Sequence, residues 1–182
     1  MTKIFVGFLF ALLDFNIHLG SATLGLLPSF VGSILMLLGT QELQAESERY
    51  PKLRPWLLGI SIYSGIVWVM NLLGKNGNVL AQLLSFVSVG IMLYITYQIV
   101  MGFVDIEKLH GVNINAAQTI AMWKVNAAMQ VLCVVLCWIP IINVVLLIAL
   151  VVVVILLLMA VYRTKKLYAE TVQTTVSQGP EL

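Results

Sequence analysis

Apolar residues in this chain fall in long runs, and short polar stretches separate them. The longest run, Val144 to Val161, is eighteen consecutive residues drawn only from Val, Leu, Ile, Ala and Met. As a helix it measures about 27 Å, close to the thickness of a bilayer's hydrocarbon core. Six apolar segments can be read: Ile4 to Leu19, Leu24 to Leu38 with Pro28 in its first turns, Trp56 to Leu73, Val79 to Val104, Trp123 to Ile139, and Val144 to Tyr162. Pro55 opens the third at a favoured first-turn position. A lead-in from Ala116, capped by Asn115, precedes the fifth. Breaks are expected at 20–23, 41–55, 74–78, 105–115 and 139–143. The fold class predicted is all-α: a transmembrane helix bundle over residues 1–163, followed by a polar tail over 164–182.

The first two segments are short. Read as one helix, Ile4 to Leu38 measures about 52 Å, too long for one crossing. They are therefore two thin spans joined by a tight turn, or a re-entrant pair. Either way the chain returns to its starting side. Met1-Thr2-Lys3 followed by Ile4 to Leu13 imitates a signal peptide, but Asp14, Asn16 and His18 interrupt the pattern and a second apolar run follows at once. An uncleaved first span is the expectation.

Composition supports the same class. The 182 residues are 60% hydrophobic and 10% charged, against about 25% charged in a soluble domain. The net charge of +2 is small and scattered, so nucleic acid is not an expected partner. Six spans place Lys3, Arg49, Lys52, Arg54, Lys108, Lys124, Arg163, Lys165 and Lys166 on one side and Lys75 alone on the other. Basic residues accumulate on the cytoplasmic side, so both termini are expected in the cytoplasm and the protein in the cytoplasmic membrane. Lys124 can snorkel from just inside the boundary.

Polar residues within spans report the interior of a bundle, because lipid-facing surfaces are apolar. In the fifth segment Thr119, Trp123, Asn126, Gln130, Cys133 and Cys137 recur every three or four residues, which is one helical stripe. The fourth carries a looser stripe of Gln82, Ser85 and Ser88, with Thr96, Tyr97 and Gln98 further on. The third carries Gly59, Ser61, Ser64 and Gly65, small enough for close helix contact. Between Asn143 and Tyr162 the sixth has no polar side-chain atom, as a span at the rim or against a partner would. Stripes of this kind ordinarily hydrogen-bond helices together; they can also line a polar cavity.

Asp14 is the acidic residue within a span. It lies eleven residues past Lys3, about 16 Å along a helix and so near mid-bilayer. A carboxylate there costs at least ~2.5 kcal/mol unless paired, hydrated or protonated. In a helix His18 shares its face, and Asn16 adds a third polar group. This run can relay a proton, bind a cation or hold a polar solute; alternatively Asp14 stabilises a turn or pairs with Asn or Gln of the fifth span. Asp14, Asn16, His18, Asn126 and Gln130 are the candidate solute-binding residues.

Other chemistry is thin. Cys133 and Cys137 lack further metal ligands and are poorly placed for a disulfide in one helix. His110 stands among Asp105, Glu107 and Lys108 as a solvated group. No zinc-protease, nucleophile-elbow or phosphate-loop pattern occurs, so neither cofactor nor metal is expected and an enzyme is the weakest reading. The 41–55 loop suits a helical extension of the second span ended by Pro51. Beyond Thr164 a short helix frays into a polar tail.

Leu13-Asp14-Phe15-Asn16-Ile17, Leu26-Leu27-Pro28-Ser29-Phe30-Val31-Gly32 and Leu37-Leu38-Gly39 resemble small uncharacterised multi-pass membrane proteins of Gram-positive bacteria. Ser29 stands where that family carries an acid. The resemblance covers the first quarter of the chain and implies a bacterial membrane protein, with no activity attached. In outline alone, six spans in about 180 residues also resemble the substrate-capturing subunits of energy-coupling-factor vitamin transporters. Three functions follow in order: binding or moving a small polar solute or ion; a non-transporting accessory protein docking a membrane partner; a membrane-embedded enzyme.

Overall fold

The computed structural model of the protein describes residues 1–12, 16–19, 22–25, 29–73, 79–136 and 139–177. Six helices carry the fold: α1 (Thr2–Leu12), α2 (Ser29–Glu42), α3 (Arg49–Leu72), α4 (Val79–His110), α5 (Ala116–Val135) and α6 (Pro140–Ser177). Between α1 and α2 lies an antiparallel ribbon of β1 (Asn16–Leu19) and β2 (Ala22–Gly25). A helix stands in each of the six expected segments, with the ribbon taking the end of the first and the start of the second, and the architecture is a helical bundle. Stretches within α3, α4 and α6 (Arg49–Met70, Leu84–His110 and Val144–Thr171) are long and apolar enough to cross a membrane, which makes the chain a membrane protein.

Several boundaries differ from the pattern-based expectation. The first segment was expected to run as helix to Leu19, but α1 is described to Leu12 and Asn16–Leu19 is strand. From Asp14 to Leu19 polar and apolar residues alternate, a period of two that fits a strand and not a helix. His18 is thus on a strand, and Asp14, its expected neighbour on a helix face, lies outside the described residues. α3 begins at Arg49, before both prolines, so Pro51 starts a helix instead of ending one. A proline in the first turn forfeits an N–H that has no helical partner anyway. Pro55 lies inside the helix, and the turns around it are held by Tyr50, Leu53 and Leu57, each 1% exposed or less. α4 runs through the polar residues after Val104 to His110, because Phe103 and Ile106 on those turns are completely buried. The helix expected beyond Thr164 is the continuation of α6, whose Thr164 and Tyr168 are buried.

Two compact units divide the chain, Met1–Ile99 and Val100–Leu182. In the first, α1 and α2 form an antiparallel hairpin whose backbones touch. A Cβ added to Gly7 would lie 2.8 Å from the carbonyl oxygen of Gly32; one added to Gly32 would lie 2.9 Å from the Ala11 nitrogen; one on Gly39 would lie 2.8 Å from the Ile4 nitrogen. Only glycine permits that approach, and small residues at a helix interface are the usual means of association where burial from water gives no driving force. Lys3 and Glu42 pair at the open end. Gly59 and Gly65, the expected contact residues of α3, have no described atom within 4 Å of an added Cβ, so they face outward and the close packing lies in the preceding hairpin. α2 packs in turn on α3. Trp56 meets Tyr94 edge-on at 5.7 Å, Arg49 Nη1 donates to Gln98 Oε1 at 2.9 Å, and Tyr50 donates its hydroxyl to the Ile99 carbonyl at 3.4 Å.

In the second unit α5 packs antiparallel on α6. The turn before α5 closes on a carboxylate. Glu107 Oε1 accepts from the backbone N–H of Ile114 at 2.8 Å and of Ala116 at 2.9 Å. Asn115 occupies the N-cap position but is left-handed (φ 70°) and its side chain makes no capping bond. The expected Asn115 cap is thus replaced by Glu107. A carboxylate accepting two N–H groups satisfies more of the helix end than one carboxamide oxygen could.

Candidate functional site

Asp14 lies outside the described residues. Asn16 and His18 lie on β1, where the register pairs Asn16 with Gly25, Ile17 with Leu24, His18 with Thr23 and Leu19 with Ala22. Alternation along a strand sets the Asn16 and His18 pairs at one parity of the ribbon and the Ile17 and Leu19 pairs at the other. A two-stranded ribbon also leaves edge N–H and C=O groups that hydrocarbon cannot satisfy. Such a segment belongs against protein or water, and β2 lies beside α3.

The α5 stripe is the face turned toward α6. Thr119 and Asn126 are buried, with exposures of 0% and 1%, while Trp123, Gln130 and Cys133 are half-buried. Cys137 lies outside the described residues. The hydroxyls of Thr119 and Thr164 share a hydrogen bond of 2.8 Å across the pair. Thr119 also contacts the Asn115 carbonyl, and Thr164 the Ala160 carbonyl, each at 3.1 Å.

Two turns further into the seam the pattern changes. The Asn126 carboxamide oxygen is buried and accepts no hydrogen bond among the described residues. A buried acceptor left without a donor costs about 1–3 kcal/mol. The seam also loosens along α5. On α6 the buried stripe comprises Val154, Leu157, Leu158, Ala160, Val161, Thr164 and Tyr168; from Val144 to Val153 no residue is buried. The polar stripe is therefore closed at Thr119 and progressively open past Asn126 toward Gln130. The structure places Asn126 and Gln130 together on this face; Asn16 and His18 belong to the other unit.

The looser stripe of α4 is not interior in the same way. Ser85 is exposed, and Ser88 returns its hydroxyl to the Ser85 carbonyl at 2.8 Å. A hydroxyl satisfied by its own helix needs no partner across an interface. Thr96, 3% exposed, does the same with the Met92 and Leu93 carbonyls.

Pattern reading missed a polar cleft in the first unit. Thr40, Gln41, Gln44, Tyr50, Pro51 and Arg54 enclose about 450 Å³ between the end of α2 and the start of α3. The signal was present as a cluster of polar residues in the 41–55 loop. Which of them converge depends on the turn at Leu43–Glu46, closed by the Glu46 N–H on the Leu43 carbonyl at 2.9 Å. No protein-family model, curated protein or solved structure matches this chain.

Proposed function

We propose that this chain is a multi-pass protein of a bacterial cytoplasmic membrane, both termini inside, that binds and moves a small polar solute or ion. The observation that carries the reading is the Asn126 carboxamide oxygen, buried on a polar stripe without a donor among the described residues. A solute bearing N–H or O–H groups, or a cation, supplies what that oxygen lacks. Gln130, half-buried one turn on, offers a second amide where the seam opens. Asp14, Asn16 and His18 are proposed as further polar groups on the solute's route. The strong bias of basic residues supports the orientation.

The test is a screen of polar solutes and monovalent cations for thermal stabilisation of the purified protein, then uptake of the hits into liposomes. Asn126→Leu should abolish ligand-dependent stabilisation and uptake while the variant still inserts and folds. Retention of both by Asn126→Leu would sink the reading.

A second reading, a non-transporting accessory protein, is favoured by the uncovered first half of α6, where Val144, Val145, Leu147, Ile148, Val151 and Val152 are all exposed. Co-purification with one membrane partner, lost on altering that face, would mark it.

A further inference from the structure

The cleft at the junction of α2 and α3 is built around an uncommitted cation. Other charged groups of the same region have partners: Lys3 pairs with Glu42, Lys52 stands 4.0 Å from Glu48, and Arg49 donates to Gln98 at 2.9 Å. Arg54 lines the cleft and has no hydrogen bond or ion pair among the described residues. Gln41 and Gln44 line the same space, are exposed, and can each present a carboxamide N–H₂. Thr40 and Tyr50 bring hydroxyls whose protons go to the carbonyls of Leu37 and Ile99. The two helix ends oppose one another electrostatically, since α2 arrives by its negative terminus and α3 starts with its positive one. The guanidinium therefore decides the sign of the site. A volume of about 450 Å³ falls in the usual range for small-molecule clefts.

We infer that this cleft binds a phosphate group, with the Arg54 guanidinium forking onto two of its oxygens and the amides of Gln41 and Gln44 completing the shell. Arginine is the side chain suited to that task, because its planar donors match the spacing of phosphate oxygens. Arg54 stands two residues before the apolar stretch that opens at Trp56, where a span would meet the membrane surface. That is the depth of lipid phosphates, so a phosphodiester headgroup and a free phosphate are the two sources of the same chemistry. The inference is independent of the solute site on α5, which lies in the other unit.

Native mass spectrometry of the full chain with phosphatidylglycerol, beside calorimetric titration with inorganic phosphate, separates the two sources. For the probe that binds, Arg54→Gln should weaken the dissociation constant about tenfold. Lys52→Gln, which removes an equal charge two residues away, should change it less than about twofold. Gln44→Leu should weaken binding about threefold while leaving the arginine in place. Arg54 is exposed, so folding of its variant should be unaffected, and circular dichroism checks this. Arg54-dependent binding of the lipid alone assigns a headgroup site; the same dependence with inorganic phosphate assigns a site for free phosphate. Equal losses in Arg54→Gln and Lys52→Gln, or no binding of either probe, would overturn the inference.

Discussion

The α1–α2 hairpin and the α5–α6 pair solve the same problem by opposite means. Both are antiparallel helix pairs in an apolar chain, where exclusion from water cannot hold helices together. The first brings backbones into contact through Gly7, Gly32 and Gly39. The second keeps side chains between the helices and links them through the Thr119–Thr164 hydroxyls. Backbone contact leaves no room for anything else, and such a pair is a structural clamp. A side-chain seam brings polar atoms between the helices, and in this one the Asn126 oxygen has no donor among the described residues. Tight pairs are thus poor places to look for a ligand, and the looser polar pair is the better one.

Substitution at the glycines should break the comparison most severely. In Gly32→Ala the new methyl meets backbone atoms of α1 at 2.9 Å, so the helices must separate. A loss of about 2 kcal/mol is expected, read by unfolding in detergent micelles. Gly59→Ala and Gly65→Ala, which meet nothing described, should be neutral or gain up to about 1 kcal/mol from helix propensity. Equal effects at all three positions would show that the hairpin is not closed by backbone contact. Next in size is Glu107→Ala, which strips α5 of its N-terminal acceptor and should cost about 1 kcal/mol. Hydrogen exchange at Ile114 and Ala116 should rise with it, whereas Asn115→Ala should leave both amides protected. The smallest effect belongs to the seam itself. A double-mutant cycle of Thr119→Val and Thr164→Val should return a coupling of about 0.6 kcal/mol. A coupling indistinguishable from zero would mean that packing alone joins α5 to α6.

Much of the fold is visible in the run lengths. Each apolar segment contains a helix, though β1 and β2 take parts of the first two, and the stripe on α5 lies on the face predicted from its spacing. The failures sit where run length stops being informative. After Leu12 the run turns to alternating polar and apolar residues from Asp14 to Leu19, and Asn16–Leu19 is strand, a change that reading the stretch as one apolar run passes over. Residues after Val104 are polar, yet α4 continues, since Ile106 and Phe103 are drawn into a core that no local pattern announces. The small residues of α3 look like contact residues by type alone. Gly32 and Gly39 are seven apart and so share a helix face, a spacing as legible as any other once Gly7 is set against it. For the candidate site, Asn126 and Gln130 were readable as one face because helical periodicity is local. The Arg54 cleft was not, because it depends on the angle at which two helices meet.

From its residues alone this chain was bound to be a helical membrane protein: hydrocarbon tolerates few charges and demands that backbone polar groups pair internally, and runs such as Val144 to Val161 satisfy both. Tertiary structure decided which glycines touch, which carboxylate caps α5, and that Arg54 has no partner and the Asn126 oxygen no donor among the described residues. Those outcomes turn on distances of a few ångströms between segments remote in sequence, and no periodicity within one segment encodes them.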